Sequence, residues 1–164
     1  MLTVCSKNQV RKRVKAVNAT HLITMLDPGD KIWRPSRISR ENHLWLAFED
    51  EEDPNHKFAP TEEHCVQILA FAAGLPSDSV TVVHCFAGMC RSTASALAIF
   101  VQKHGLDSTW HARQWLLEDR PQALPNMLMA KHFDNLLNAN GKFWNLCNHI
   151  NNSRLMEIWD SPDW

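Results

Sequence analysis

Two cysteines and an arginine lie close together in the stretch VVHCFAGMCRSTASALAIF, which spans residues 82–100. Residues 79–85 are β-branched and apolar at both odd and even positions, a pattern typical of a strand that is buried on both faces. Residues 91–101 form a largely apolar run that predicts a buried helix. Cys85, Cys90 and Arg91 therefore occupy the junction between a buried strand and a buried helix, where packing alone would require only apolar residues.

The loop at this junction has the composition of an anion-binding cradle. Gly88 allows the backbone to curl so that several N–H groups point at one centre, and the positive end of the following helix adds to their field. The planar guanidinium of Arg91 can hold two phosphate oxygens at once. Because the same field favours a thiolate, we expect Cys85 to act at neutral pH as a nucleophile on the phosphorus of a bound phosphate.

These residues resemble the signature of the cysteine-dependent protein tyrosine phosphatases, H-C-x-x-G-x-x-R-[ST]. A buried structural cysteine followed by a chance arginine would leave the glycine and the hydroxyl unexplained, and a nucleotide-binding P-loop would need G-x-x-x-x-G-K-[ST], which the sequence lacks. The resemblance implies catalytic roles for His84, Cys85, Arg91 and Ser92. It also implies that the phosphate is bound by the loop residues Phe86, Ala87, Gly88, Met89 and Cys90 together with Arg91.

The resemblance extends to both sides of the loop. It covers the compact dual-specificity branch and a bacterial group of predicted tyrosine phosphatases whose members carry RSTA after the arginine. HLWLAFED, residues 43–50, looks like the segment that ends in the family's general acid, which gives Asp50 that role. RPQALPNMLMAKHFDNLL, residues 120–137, looks like the segment that packs beside the site, and Asn126 matches its structural asparagine.

The resemblance implies a two-step hydrolysis. Arg91 and the loop N–H groups would stabilise the transition-state charge, and Asp50 would protonate the leaving group and then accept a proton from the attacking water. Ser92 would stabilise the departing thiolate or cap the following helix, and His84 would tune Cys85 through hydrogen bonds. The segment EDEEDP offers five carboxylates; Asp50 fits the register after the strand, and Asp53 is the alternative acid.

The rest of the chain predicts the scaffold. Strands alternate with helices, and no linker or repeat divides the 164 residues. We therefore expect one α/β domain over residues 1–164, with a mainly parallel central sheet of about four to five strands and helices on both faces. LTVC, THLITML, HLWLAF and SVTVVHC predict strands, the last of them central; helices are predicted over residues 6–17, 61–73, 91–104, 108–118, 126–138 and 143–150. Trp33 and Trp45 either wall the cleft or fill the core, and we expect the core.

Composition and charge exclude several function classes. A net charge of −1 gives no overall basic drive toward nucleic acid or anionic membranes, so we expect neither as a partner. The first residues contain no apolar run long enough for a signal peptide or a membrane helix, which predicts a cytoplasmic protein. Five cysteines at no framework spacing favour reduced thiols. No ligand-spaced His or Cys pair appears, so we expect no metal and no cofactor.

The loop interior favours a phosphorylated protein as the substrate. It contains no lysine, whereas phosphoinositide and inositol-polyphosphate phosphatases of this superfamily often place basic residues there. Phosphotyrosine is therefore expected first, with phosphoserine and phosphothreonine next. An inositol-phosphate or RNA 5′-phosphatase that uses the same loop, or a non-catalytic phosphate-binding module, stays an alternative. Arg34, Arg37 and Arg40 form either a contact for acidic groups around the phosphosite or an exposed polar loop.

Cys90 supports two interpretations. Its position immediately before the arginine resembles the loop of the low-molecular-weight tyrosine phosphatases. The spacing permits a disulfide with Cys85, which would capture an oxidised thiolate reversibly and make peroxide a reversible inactivator. Alternatively, Cys90 is a small buried residue that packs under the loop.

Overall fold

Four parallel strands form the central sheet of the computed structural model, which describes the backbone of residues 1–159 and the side chains of residues 1–153. Their order across the sheet is β1-β4-β2-β3, and all three neighbouring pairs are parallel. The strands are β1 (Leu2–Ser6), β2 (His21–Leu26), β3 (His43–Ala47) and β4 (Thr81–Cys85). The predicted α/β fold with a mainly parallel sheet is confirmed, and β4 is an inner strand as expected.

Six α-helices connect and cover the strands within residues 1–159. They are α1 (Val10–Ala16), α2 (Glu62–Ala73), α3 (Arg91–His104), α4 (Thr109–Asp119), α5 (Met127–Leu136) and α6 (Lys142–Trp159), and short 3₁₀ turns precede α1 (Lys7–Gln9) and α4 (Leu106–Ser108). The predicted last helix, 143–150, was too short, because the polar residues after it contain no glycine or proline that would end a helix. None of the described helices is both long and apolar enough to span a bilayer.

Apolar side chains on the two faces of the sheet form two separate clusters. Alternate residues of a strand point to opposite faces. Val4 of β1 and Val83 of β4 accordingly belong to the larger cluster, which α2 to α6 cover, whereas Val82 belongs to the smaller cluster under α1. Helix α3 is the buried helix that the sequence predicts, with ten of its residues buried. The expectation of helices on both faces is confirmed.

Neither Trp33 nor Trp45 fills the core, so that expectation was wrong. Trp33 lies in the irregular segment between β2 and β3 and is 81% exposed, and Trp45 on the edge strand β3 is 37% exposed. Ile38, from the same irregular segment as Trp33, is fully buried in the cluster under α1. An irregular segment has no periodicity that would indicate which of its apolar residues points inward.

Asp134 fixes the junction between α5 and α6. Its carboxylate is buried and accepts hydrogen bonds from the backbone N–H groups of Gly141 (2.8 Å), Phe143 (2.9 Å) and Trp144 (3.0 Å). The first N–H groups of a helix have no acceptor within the helix, and a negative charge at that end also interacts favourably with the helix dipole. One side chain of α5 thus provides hydrogen-bond acceptors for the backbone N–H groups at the start of α6.

Replacing Asp134 with alanine should lower the free energy of unfolding by about 3 kcal/mol, because charge-assisted hydrogen bonds are lost and buried N–H groups are left without acceptors. Urea denaturation followed by circular dichroism measures the loss. Asp107→Ala is the matched control: this exposed carboxylate lies 3.9 Å from Lys142 Nζ, and its removal should leave stability nearly unchanged. Equal losses in the two variants would contradict the role given to Asp134.

Candidate active site

The carboxyl ends of three neighbouring strands bring the predicted site residues together. Cys85 is the last residue of β4, Asp27 directly follows β2, and Phe48 directly follows β3. Parallel strands end at the same edge of a sheet, which is where such sheets bind their ligands. A pocket of about 330 Å³ opens at this edge. It is named the loop pocket here, and its lining residues are Asp27, Glu49, Asp50, Glu51, Phe86, Ala87 and Arg91.

The Cys85 thiol lies inside the curl of the loop that joins β4 to α3. Its Sγ accepts a hydrogen bond from the N–H of Gly88 at 3.2 Å and lies 3.2 Å from the hydroxyl oxygen of Ser92. Ser92 is fully buried as the second residue of α3, and Cys90 occupies the N-cap position. Ser92 therefore does not cap α3. An amide, a hydroxyl and a helix N-terminus converge on one sulfur atom.

Every carbonyl of the loop from Phe86 to Cys90 is held by a partner from another part of the chain. The donors are Lys7 N to Phe86 O (3.0 Å), Arg120 Nη2 to Ala87 O (3.1 Å), Arg120 Nε to Gly88 O (3.0 Å), Leu124 N to Met89 O (3.0 Å) and Asn126 N to Cys90 O (3.4 Å). In a planar trans peptide the N–H points away from the C=O. When the carbonyl of a peptide group is held on the outside of the curl, the N–H of the same peptide group therefore points toward the centre.

Gly88 has no room for a side chain. Its φ is +72°, a region that favours glycine, and a Cβ built on it would lie 2.6 Å from the backbone carbon and oxygen of Cys5 in β1. The sequence predicted the need for backbone freedom at Gly88. The close approach of β1 is an additional reason for glycine that only the fold reveals.

Arg120 is a site residue that the sequence analysis missed. It is 5% exposed, and its planar guanidinium spans two successive loop carbonyls, those of Ala87 and Gly88. The only available signal was its position at the start of RPQALPN, the segment that resembles the family's segment beside the site. Arg120 lies outside the loop pocket, so it positions the loop and does not line the pocket.

Arg91 has a buried guanidinium that a carboxylate and a carbonyl anchor through one nitrogen. Its Nη1 donates to the carboxylate of Asp27 at 2.7 Å and to the carbonyl of Phe48. Within the described part of the chain its Nε, also buried, has no hydrogen-bond partner. The residue lines the loop pocket. An arginine that is fixed through Nη1, and whose buried Nε–H has no acceptor among the described residues, fits an anion in the pocket. Asp27 was missed in the sequence, where DPGD indicated only a turn.

His84 is the end of a polar chain that crosses three strands behind the loop. Its Nδ1 lies 3.2 Å from the carbonyl of Cys85, and its Nε2 lies 2.8 Å from the hydroxyl of Thr24, which in turn lies 2.8 Å from His43 Nε2. A carbonyl can only accept, so we assign the proton of neutral His84 to Nδ1. Burial lowers the pKa of His84 to about 4, which keeps it neutral at neutral pH. His84 thus contacts the Cys85 carbonyl, not its sulfur.

Asn126 joins the segment of the predicted acid to the loop. Its Nδ2 donates to Asp50 Oδ1 at 2.9 Å and to the carbonyl of Glu51 at 3.1 Å, while its Oδ1 accepts from Met129 N and caps α5. Both carboxylates are exposed, but Asp50 lines the loop pocket beside Arg91, whereas Asp53 accepts a hydrogen bond from Asn55 N outside the pocket. The structure therefore brings Asp50, and not Asp53, to the pocket.

Cys90 is half-buried at the start of α3, and its thiol is free. Burial and the neighbouring Asp50 carboxylate raise its pKa, so it is a neutral thiol near neutral pH. A disulfide with Cys85 stays a prediction, as does packing under the loop. Among the described residues, no three His, Cys, Asp or Glu side chains are grouped so that they could hold a metal ion.

Comparison with known proteins shows the fold. No protein-family model and no curated protein matches the sequence. Solved structures do match. The human tyrosine phosphatase-like serine/threonine/tyrosine-interacting protein is 18% identical over 85% of this chain and 92% of its own, with a TM-score of 0.65. The Cydia pomonella PTP-2 phosphatase is 19% identical over 84% of both chains (TM-score 0.61). PTPMT1, solved in complex with PI(5)P, is 19% identical over 85% and 91% (TM-score 0.58). The chain has the fold of the compact dual-specificity phosphatases.

The neutral histidines behind the loop should make stability depend on pH. Burial lowers the pKa of both His43 and His84 to about 4, below the value of about 6.5 in the unfolded chain. Their contribution is therefore complete above pH 6.5 and is lost as the pH falls toward 4. His43→Gln removes one titrating group and keeps a donor for Thr24. We expect the free energy of unfolding, measured with urea, to decline less between pH 7 and 5 in this variant than in the parent. The control His149→Gln, at an exposed site, should show the same decline as the parent. A parental slope in His43→Gln would contradict this interpretation.

Proposed function

We propose that the chain hydrolyses phosphomonoesters on proteins, with phosphotyrosine as the first substrate, through a phosphocysteine intermediate at Cys85. The observation that carries this proposal is the position of Cys85 Sγ inside a loop whose carbonyls are all held on the outside. A phosphate bound there would accept hydrogen bonds from the loop N–H groups and from the buried Nε–H of Arg91.

The proposed first step is an in-line displacement at phosphorus. The S–P bond to Cys85 forms as the bond to the leaving oxygen breaks, and the carboxyl of Asp50 gives that oxygen its proton. In the second step Asp50 accepts a proton from water, the water oxygen attacks phosphorus, and the S–P bond breaks. Ser92 lies 3.2 Å from the sulfur, where its hydroxyl can donate to the departing thiolate.

The charges around the loop pocket support a singly phosphorylated side chain as the substrate. Among the described residues, the pocket is lined by four carboxylates, one arginine and no lysine. These carboxylates would repel the additional phosphates of a polyphosphorylated inositol or of an RNA 5′ end. PTPMT1, with the same fold, binds PI(5)P; such a lipid stays the alternative. Cys85, Arg91 and Asp50 are all present at the site, which supports catalysis over phosphate binding alone.

Cys85→Ser should abolish the hydrolysis of para-nitrophenyl phosphate and of a phosphotyrosine peptide, because a serine hydroxyl in this loop is a far weaker nucleophile than a thiolate. The variant keeps the cradle, so calorimetric titration should still detect peptide binding. Cys147→Ala, a change to a buried thiol in the cluster under α2 to α6, is the control and should keep the parental rate. Undiminished turnover in Cys85→Ser would overturn the mechanism, and a panel containing PI(5)P and 5′-phosphorylated RNA tests the alternative substrates.

Asp50→Asn should slow the hydrolysis of phenyl phosphate by about a hundredfold to ten-thousandfold, because this leaving group needs a proton. The loss should be much smaller for para-nitrophenyl phosphate, whose leaving group is stable as an anion. Steady-state kcat for the two esters measures the difference. Asp53→Asn is the matched control and should leave both rates unchanged. If Asp53→Asn showed the leaving-group dependence and Asp50→Asn did not, the acid would be Asp53.

A further inference from the structure

A second pocket, of about 570 Å³, lies between α1 and the segment that joins β2 to β3. It is named the basic groove here. Its lining includes Arg11, Lys15, Trp33, Arg34 and Arg37, and no carboxylate of the described residues lines it. The fold thus combines basic residues from two separate parts of the sequence in one concave surface.

Three cations of the groove carry charge that the described side chains do not neutralise. Arg11 and Lys15 are four residues apart on α1 and therefore share one face of the helix. Both residues and Arg37 are exposed, and no carboxylate within the described side chains lies within ion-pair distance of them. Arg34 differs, because it donates to the backbone carbonyl of Ile38 and shapes the wall of the groove.

Trp33 gives the groove an aromatic surface that stands in water. The side chain is 81% exposed, although the segment that carries it is fixed to the core by the fully buried Ile38. A tryptophan has a large area for contact and loses little conformational freedom on binding, which is why it is enriched at binding surfaces. A groove with an exposed tryptophan and three cations that pair with no carboxylate among the described side chains fits an anionic partner that also has apolar surface.

The basic groove lies close to the loop pocket. Phe86 lines the loop pocket, and its carbonyl accepts a hydrogen bond from the backbone N–H of Lys7. The Nζ of Lys7 lies 5.4 Å from the centre of the Phe86 ring. Arg11 follows Lys7 by about one helical turn. Asp27, the partner of Arg91, precedes Trp33 by six residues, which span at most about 20 Å when fully extended. An extended peptide of about six residues can therefore reach from one pocket to the other.

We propose that the basic groove binds acidic side chains of the protein substrate, within about six residues of the phosphorylated residue. This inference rests on the proposed function. A peptide fits the charge distribution because its negative charges lie only at the phosphate and at its acidic residues. The residues between them can be uncharged where the peptide passes the carboxylates of the loop pocket. A nucleic acid has a negative charge at every nucleotide and would bring it past Asp27 and Glu49.

The first test compares two phosphotyrosine peptides, one with Asp and Glu three to six residues from the phosphotyrosine and one with Asn and Gln there. The parent should have a kcat/KM about fivefold to tenfold higher for the acidic peptide at low ionic strength, through KM. R11E/K15E should remove this preference without changing the hydrolysis of para-nitrophenyl phosphate. The control K103E/K131E makes the same change of charge at two exposed lysines outside both pockets and should keep the preference.

A second test separates the groove from catalysis. In the Cys85→Ser background, fluorescence anisotropy should show tighter binding of the acidic peptide, lost in R11E/K15E and weakened by salt. This result would support the groove even if no phosphate ester were hydrolysed. Equal binding of the two peptides, or a preference that R11E/K15E retains, would overturn the inference. The inference would also be overturned if R11E/K15E abolished the binding of an RNA oligomer or of phosphatidylserine vesicles but kept the preference for the acidic peptide. The groove would then be assigned to nucleic acid or to membranes.

Discussion

The orientation of five peptide groups, from Phe86 to Cys90, is the constraint on which the rest of the site depends. A loop that must point its N–H groups at one centre has to satisfy its carbonyls elsewhere, because a buried carbonyl without a donor is costly. This chain supplies the donors from the end of β1, from Arg120 and from the segment that precedes α5. The close packing of β1 on Gly88 fixes the middle of the curl. The sheet, α4 and the start of α5 therefore all contribute to one small cradle.

Much of this arrangement could be predicted because it is local in the sequence. Cys85, Gly88, Arg91 and Ser92 lie within eight consecutive residues, and the strand before them and the helix after them have clear hydrophobic patterns. The parallel sheet followed from the alternation of strands and helices. Asp50 came from its register after β3, and the structure brings it to the pocket through Asn126.

The parts that could not be predicted are contacts between distant residues. Arg120 lies 32 residues from the carbonyl of Gly88, and Asp27 lies 64 residues from Arg91. Neither has a pattern of its own, since an arginine after a helix and an aspartate in a turn are common surface residues. The basic groove depends in the same way on the packing of α1 against an irregular segment. Within that segment, Ile38 is buried and Trp33 exposed, which no local periodicity could indicate.

Charge is divided between two neighbouring surfaces in a molecule whose net charge is only −1. Carboxylates surround the loop pocket, where Arg91 and the loop amides would meet the phosphate of the proposed substrate, and cations surround the basic groove. Such a division favours ligands that carry one phosphate at one point and acidic groups at another. It would also let a weakly acidic protein recognise the proposed substrate without a general affinity for polyanions.

The central claim is that the sulfur of Cys85 becomes covalently bonded to phosphorus, and direct detection of that bond is its most decisive test. The protein is mixed with para-nitrophenyl phosphate, quenched in acid within milliseconds, digested with pepsin at low pH and analysed by mass spectrometry. The account predicts a phosphoryl group on the peptide that contains Cys85, attached to Cys85 itself, and its disappearance when the substrate is exhausted. Steady hydrolysis with Cys85 unmodified, or with the phosphoryl group on another residue, would contradict it.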